Sequence, residues 1–213
     1  MNTIAKERSK TATDATGPVL QVRNLDVTYY TDAGRAKALD DVSFTLNAGE
    51  KLGMVGESGS GKSTLALAMM RMIKQPGRIE GGEVSVGGTD LMALDKDEMR
   101  NARLSRIAYI PQGAMNSLNP VMRIGAQMVD AVRAHLPDEP KSAVMDRCMA
   151  SLQSVDLGRG TFRMYPHELS GGMKQRVCIA IGILLQPQVI IADEPTSALD
   201  VVTQRQVMET IDR

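Results

Sequence analysis

Aromatic residues are scarce in this sequence: tryptophan is absent, and tyrosine and phenylalanine together make up only 3% of its 213 residues. Apolar residues still account for 43% of the chain, which is enough for a sizeable core. That core must be built from aliphatic side chains, with methionine as an adaptable filler. The length predicts one domain, or one domain that carries an insertion.

Cysteine is also scarce, because Cys148 and Cys178 are the two in the chain. They lie far apart in the sequence and neither belongs to a Cys-x-x-Cys pair, so a disulfide framework or a cysteine metal site is not indicated. We therefore expect a reduced, cytosolic setting.

The chain carries neither net charge nor a long hydrophobic run. Lys+Arg and Asp+Glu both number 25, so no large net field attracts nucleic acid, and we expect no nucleic-acid partner. The longest apolar run, residues 177–185, is far shorter than the about 20 residues of a membrane-spanning helix. Residues 1–17 are polar and lack the apolar segment of a signal peptide, so they are predicted to be a disordered tail.

Residues 56–64 read Gly-Glu-Ser-Gly-Ser-Gly-Lys-Ser-Thr and match the phosphate-binding pattern G-x-x-x-x-G-K-[ST]. Glycine lets the backbone N–H groups of such a loop come close to a triphosphate. Lys62 is then expected to reach the β- and γ-phosphates, and the Ser63 hydroxyl to bind Mg²⁺. The candidate nucleotide-binding residues of this loop are Gly56, Ser58, Gly59, Ser60, Gly61, Lys62, Ser63 and Thr64.

The flanking sequence supports this interpretation. An apolar strand is predicted over residues 51–55 and a helix over residues 64–73, so the loop would lie at the positive end of a helix dipole. Taken alone, the stretch also fits a Gly/Ser surface turn before an ordinary helix.

A second motif is an apolar strand that ends in two carboxylates. Residues 189–192 are apolar throughout, which is typical of a parallel strand buried on both faces. Beside a phosphate-binding loop, Asp193 is expected to hold Mg²⁺ and Glu194 to act as a base toward water. Without such a loop, a strand followed by a solvated acidic turn would explain the same residues.

A third motif combines a helix start with two glycines. Ser170 is a good N-cap for a helix whose apolar face recurs through residues 173–184. Gly171 and Gly172 each cost about 1 kcal/mol of helix propensity, which makes sense if the backbone must approach a ligand. An ordinary capped helix is the alternative.

Residues 169–176, Leu-Ser-Gly-Gly-Met-Lys-Gln-Arg ahead of an Asp-Glu strand end, resemble the signature motif of ABC-type ATPases, and the resemblance covers residues 19–213. It implies an α/β P-loop NTPase fold: a RecA-like core with an N-terminal antiparallel β subdomain and an inserted α-helical subdomain. It also implies ATP and Mg²⁺, with Ser63, Gln112 and Asp193 at the metal. Because two ATPase domains of this family close head to tail, the signature residues Ser170, Gly171 and Gly172 are assigned to the partner's nucleotide.

The resemblance implies further site residues. Gln112 matches the Q-loop glutamine near Mg²⁺ and the attacking water, although its residue type also fits a plain polar strand end. Residues 197–200 resemble the D-loop, which crosses the dimer interface and ends here at Asp200. Tyr29 matches the aromatic residue that stacks on adenine; Tyr30 is a rival, and a buried packing tyrosine is the alternative. The candidate catalytic residues are Glu194, Gln112 and Lys62.

A subfamily is indicated by residues 112–120 and by Tyr-Pro-His-Glu at residues 165–168, which look like the oligopeptide, dipeptide and nickel importers. Two positions depart from the pattern: Met173 stands where glutamine is usual, and Gly113 where an acidic residue is common. The resemblance implies an ATP-hydrolysing subunit at the cytoplasmic face of the membrane. Its partners would be a second ATPase subunit (identical or different), transmembrane permease subunits and, indirectly, an extracytoplasmic solute-binding protein.

The predicted organisation is a tail at 1–17, a core with the β subdomain at 18–112, a helical subdomain at 113–168, and the signature and acidic strand at 169–213. The family's switch histidine follows a strand beyond the D-loop, so we expect an N-terminal fragment that does not turn over ATP alone. A soluble ABC ATPase of translation or DNA maintenance, and a nucleotide-dependent assembly module without turnover, are the alternatives.

Overall fold

The structure, a computed structural model, describes residues 4–5, 17–32, 34–113, 116–195 and 204–205. The chain forms two compact units, Met1–Ile107 and Ala108–Arg213. Most of the predicted tail lies outside the described residues, and the predicted subdomain boundaries stay predictions. Within the described ranges, no helix is both long and apolar enough to cross a membrane.

The first unit is built around an antiparallel sheet. In chain order, its elements are β1 (Ile4–Ala5), β2 (Pro18–Thr31), β3 (Gly34–Asn47), β4 (Gly53–Met54), α1 (Lys62–Met69), β5 (Gly77–Val86), β6 (Thr89–Asp90) and α2 (Lys96–Ser105). The sheet has the strand order β3-β2-β5-β6. A second, two-stranded pairing joins β1 to β4, the strand that precedes the glycine-rich loop.

The sheet buries one apolar face of β2. Leu20, Val22, Leu25 and Val27 are all at most 3% exposed. From the sequence alone, residues 19–22 and 25–29 are expected to form separate strands, but the chain runs as one strand through an irregularity between Val22 and Leu25. Asn24 makes this possible, because it takes a left-handed φ of 45° and its N–H donates to the Ser43 hydroxyl at 2.8 Å.

Helix α1 ends at Met69, four residues before the predicted end at residue 73. Arg71 has a φ of 49°, and its guanidinium donates to the carbonyls of Leu91 and Leu94 at 3.0 and 2.6 Å. Arg103 donates in turn to the carbonyl oxygens of Met70 and Arg71. These bonds satisfy backbone groups at the end of the helix and turn the chain away from its axis.

Helices make up most of the described part of the second unit, together with a pair of short strands. Its elements are β7 (Ile107–Ile110), α3 (Ile124–Arg133), α4 (Lys141–Ser154), two 3-10 turns (Arg159–Arg163 and Pro166–Glu168), α5 (Gly171–Ile183) and β8 (Val189–Ala192). Six apolar residues of this unit recur at the 3.6-residue helical period in the sequence, and each is at most 1% exposed: Ile124, Met128, Val132, Cys148, Leu152 and Val155. This confirms the aliphatic and methionine-containing core.

Strand β8 is buried on one face only among the described residues. Val189 and Ile191 are buried, whereas Ile190 is 41% exposed. The prediction of burial on both faces is therefore wrong for this part of the chain. Ile190 lines an open cavity of about 720 Å³ beside α4, so its side chain points into space that the described residues leave empty.

Gly125 provides a test of the packing in the second unit. A Cβ built on this residue, in the first turn of α3, would lie 2.3 Å from Cε1 of the Phe162 ring. Gly125→Ala should therefore destabilise the protein by about 1–3 kcal/mol, despite the better helix propensity of alanine. Urea unfolding measures this change. The matched variant Gly160→Ala, whose new Cβ meets nothing within 4 Å, should be close to neutral; equal effects of the two would contradict the packing argument.

Candidate functional site

The ammonium group of Lys62 is held by the loop that precedes it. Its Nζ donates to the carbonyl oxygens of Gly56 and Glu57 at 2.7 and 2.8 Å, and lies 3.4 Å from the Ser60 hydroxyl. Lys62 is the first residue of α1, so the predicted phosphate-binding lysine stands at the helix N-terminus as expected. Carbonyl oxygens of the loop therefore surround the positively charged ammonium group.

Glycine is required at two positions of this loop. Gly59 and Gly61 have φ values of 82° and 92°, in the left-handed region. Gly61 is also the N-cap of α1, and a Cβ there would lie 2.8 Å from the Ala38 carbonyl oxygen. Because α1 begins without a side-chain cap, its first N–H groups are suited to an anion.

The loop's hydroxyl residues differ in exposure. Ser58 and Ser63 are exposed, while Ser60 and Thr64 are half-buried. The Ser63 hydroxyl is therefore within reach of solvent and of a hydrated cation. Oxygen donors of this kind suit Mg²⁺.

In the second unit, the ends of β7 and β8 bring together the residues predicted to act in hydrolysis. The Asp193 N–H donates to the Ile110 carbonyl at 2.9 Å and so extends the pairing of the two strands by one bond. Beyond that point, Gln112 Nε2 donates to Glu194 Oε2 at 2.6 Å. Residues 82 positions apart in the sequence thus meet at one place.

Glu194 reaches Gln112 through an unusual backbone conformation. Its φ is 46°, a value that residues other than glycine seldom adopt and that recurs at functional sites. The side chain is exposed, as is that of Gln112. Their hydrogen bond orients an accessible carboxylate.

Tyr109 lies beside the cluster of Gln112, Asp193 and Glu194, and it was not predicted from the sequence. Its hydroxyl donates to Asp193 Oδ2 at 3.1 Å. Burial, with the charge of Asp193 and the hydrogen bond to it, raises the pKa of Tyr109 to about 12. The available signal was its position in a short strand just before Gln112, but a tyrosine in a strand is ordinary and gave no reason to select it.

The signature segment begins α5 in the predicted way. The Ser170 hydroxyl accepts from the Met173 N–H at 3.3 Å, which confirms Ser170 as the N-cap. Ser170 and Gly171 are exposed and Gly172 is half-buried, so the first turn is open to solvent. An open, capped helix start with two glycines allows another molecule to approach the backbone closely.

The two candidate adenine-stacking residues have different surroundings. Tyr30 donates from its hydroxyl to Glu80 at 2.8 Å, and the guanidinium carbons of Arg35 and Arg78 each lie 5.3 Å from its ring centroid. The half-buried Tyr29 ring lies beside Gly77, where a Cβ would be 2.8 Å from it. The assignment of Tyr29 to adenine stays a prediction.

Residues 197–200, including Asp200, lie outside the described residues, as do residues 114 and 115 of the predicted Q-loop stretch. The P-loop belongs to the first unit, and Gln112, Asp193 and Glu194 belong to the second. Across the described part of the chain, no group of three or more histidine, cysteine or acidic side chains could hold a metal.

The two positive-φ glycines allow a matched test of the loop. Gly59→Ala should cost about 1–2 kcal/mol, from the left-handed conformation alone, because its Cβ meets nothing within 4 Å. Gly61→Ala adds the clash with Ala38 and should lose about 1–3 kcal/mol more. Urea unfolding of both variants checks the order, and an equal loss of stability would refute the close approach at Gly61.

The raised pKa of Tyr109 predicts a late step in the alkaline titration of the tyrosines. Its folded pKa of about 12 exceeds the ordinary 10.0, so its contribution to stability is complete below pH 10 and is lost as the pH rises through 12. Tyrosinate absorbance should show a late component that becomes smaller in Tyr109→Phe and keeps its full size in Tyr165→Phe; part of it remains, because the hydrogen bond to Glu80 also raises the pKa of Tyr30. A late component of undiminished size in Tyr109→Phe would show that Tyr109 does not contribute to it.

Comparisons with known proteins identify the family of this chain. Residues 39–197 match the family model described as ABC transporter. The oligopeptide transport ATP-binding protein OppD of Salmonella typhimurium is 44% identical over 205 residues, which cover 94% of this chain and 61% of OppD. A putative peptide import ATP-binding protein of Brucella abortus is 44% identical over 198 residues, or 92% of this chain and 59% of that protein. The chain thus spans less than two thirds of the length of these relatives.

Solved structures give the same result for the fold. The dimeric structure of the ATP-binding cassette MJ0796 in a post-hydrolysis state with ADP and Pi is 27% identical, with a TM-score of 0.77 over 90% of this chain and 81% of that one. A second dimeric structure of MJ0796, described as a bacterial ABC transporter cassette, matches equally well. The chain belongs to the ABC transporter family and has the α/β P-loop fold of its ATP-binding cassettes.

Proposed function

We propose that this chain is the ATP-binding and ATP-hydrolysing part of a subunit that energises the import of peptides or a related small solute. The observation that carries the proposal is the hydrogen bond of Gln112 to Glu194 at the ends of β7 and β8. It joins an amide and a carboxylate suited to orienting and deprotonating a water molecule. The names of the relatives, oligopeptide transport and peptide import ATP-binding proteins, support the substrate class.

The P-loop would bind the triphosphate. Lys62 would turn from the carbonyls of Gly56 and Glu57 to the β- and γ-phosphates, while the N–H groups at the start of α1 donate to phosphate oxygens. Charge-assisted hydrogen bonds of this kind contribute about 1.5–3 kcal/mol each. The other candidate contacts are Ser58, Gly59, Ser60, Gly61, Thr64 and, at the adenine, Tyr29.

Magnesium would be held by Ser63, Asp193 and Gln112, an all-oxygen donor set of the type this cation prefers. When bound, Mg²⁺ neutralises part of the charge that develops on the phosphates. Tyr109 has a supporting part, because its hydroxyl holds the Asp193 carboxylate in one orientation. A raised pKa keeps that hydroxyl protonated throughout the physiological range.

Hydrolysis would start from the Glu194 carboxylate. Glu194 accepts a proton from water as the water oxygen attacks the γ-phosphorus, and the bond from that phosphorus to the bridging oxygen breaks to release ADP and phosphate. General base catalysis of this kind is worth about 10²–10⁴-fold in rate. Gln112 would fix the direction of the carboxylate and of the water.

The exposed signature would act on a second ATPase domain. Ser170, Gly171 and Gly172 would contact the nucleotide held by the partner's P-loop, with Asp200 at the same interface. The dimeric structures of the cassette MJ0796 support such a pairing. Permease subunits would contact the segment between Gln112 and Ser170, at the cytoplasmic face of the membrane, and a solute-binding protein would act through them.

Two substitutions in the full-length protein, assembled with its permease, test this function. Lys62→Ala should abolish ATP binding, because a positive charge at the phosphates is lost. Glu194→Gln should retain ATP binding and lower kcat by about 10²-fold or more, because an amide is no base. ATP affinity and phosphate release measure the two effects.

Lys96→Ala is the matched control for the lysine, because Lys96 is the first residue of α2 as Lys62 is of α1, and it should bind ATP normally. Wild-type turnover by Glu194→Gln would remove this residue from the role of base. Normal ATP binding by Lys62→Ala would remove the P-loop from the proposal.

A further inference from the structure

Arg123, at the start of α3, makes contacts that its position in the sequence does not suggest. It is the N-cap residue of that helix, but its side chain forms no cap. Its Nη1 instead donates to the Arg163 carbonyl at 2.6 Å, and its guanidinium carbon lies 4.9 Å from the centroid of the Tyr165 ring. A backbone hydrogen bond joins the same two segments, because the Ile124 N–H donates to the Met164 carbonyl at 2.9 Å.

Tyr165 opens the short segment that leads to the signature. Glu168 Oε2 accepts from the Tyr165 N–H at 2.6 Å, and the Glu168 N–H donates to the Tyr165 carbonyl at 3.0 Å. The His167 ring stacks on that of Tyr165, with centroids 5.5 Å apart and planes inclined by 14°. Leu169 is buried and Ser170 follows it, so the position of Tyr165 constrains that of Ser170.

The other end of this contact is the loop that follows the Q-loop glutamine. Gln127 of α3 accepts from the Asn119 N–H at 2.9 Å and donates to the carbonyls of Asn119 and Met122 at 3.1 and 3.0 Å. The loop is thereby fixed to the first turns of α3, while Val121 within it is 80% exposed. Gly125 lies against the Phe162 ring, so α3 packs closely on the 3-10 turn Arg159–Arg163.

We infer that Arg123 and Tyr165 are positioning residues of the signature, which tie the placement of Ser170 to the loop of residues 119–123. The inference rests on the proposed function and deepens it. A displacement of this loop would move the signature, because a cation–aromatic contact, hydrogen bonds to carbonyl groups and ring packing join the loop to the segment that leads into the signature. Neither residue belongs to the proposed nucleotide-binding set. Their effect falls on the closure of the signature over the partner's ATP, and so on kcat rather than on the affinity of one subunit for ATP.

A double-mutant cycle tests this in the full-length protein assembled with its permease. Arg123→Gln and Tyr165→Leu should each lower kcat for ATP hydrolysis by about three- to fivefold, the value expected for one exposed cation–aromatic contact. ATP affinity of the isolated subunit should be unchanged in both. The double variant should lose no more than the larger single loss, because both substitutions remove the same contact. Arg123→Lys, which retains a cation over the ring, should recover part of the rate.

Arg133→Gln is the control for a general loss of stability. Arg133 ends the same helix and also donates to backbone carbonyls, those of Pro137 and Glu139 at 2.6 Å, but away from the signature. It should keep wild-type kcat. Losses of kcat that add in the double variant, an unchanged kcat in Arg123→Gln, or an equal loss in Arg133→Gln would each overturn the inference. Absence of ATP hydrolysis by the wild-type assembly would instead overturn the proposed function.

Discussion

The backbone hydrogen bond from Asp193 to Ile110 is the contact on which the proposed hydrolytic part of the site depends. It aligns the ends of β7 and β8, so that the side chains just beyond the two strands leave from neighbouring points. Gln112 can then reach Glu194, and Tyr109 can reach Asp193. A shift of one residue in this pairing would turn each side chain to the opposite face and separate both pairs.

The sequence was sufficient to predict the positions at which phosphate binding, helix capping or base chemistry allows only a few residue types. A lysine at the first position of α1, a serine that caps α5 and an acidic pair after an apolar strand all stand where the motifs indicate. Tyr109 escaped prediction because its role comes from distance and burial, which depend on tertiary structure rather than on a local pattern. The same holds for Arg123, whose partners lie about forty positions further along the chain.

Predicted element boundaries failed where a single side chain overrides local preference. Asn24 lets one strand continue through an irregular register, and the arginines Arg71 and Arg103 end α1 within a run of good helix formers. Ile190 shows what an apolar run leaves open. Such a run indicates a strand, but it does not indicate which face of the strand another element covers. Such outcomes depend on tertiary contacts that a pattern along the chain does not contain.

The hydrogen bonds of Lys62 to its own loop would lower the net free energy that an incoming nucleotide gains from this lysine. The carbonyls of Gly56 and Glu57 compete with any incoming ligand for the same ammonium group, so binding is an exchange and its free energy is a difference. A weakly charged anion gains little over two carbonyl acceptors, whereas a polyphosphate gains much more. In the proposed site, the loop would therefore favour ligands of high negative charge through the lysine alone, before any contact with a base or sugar.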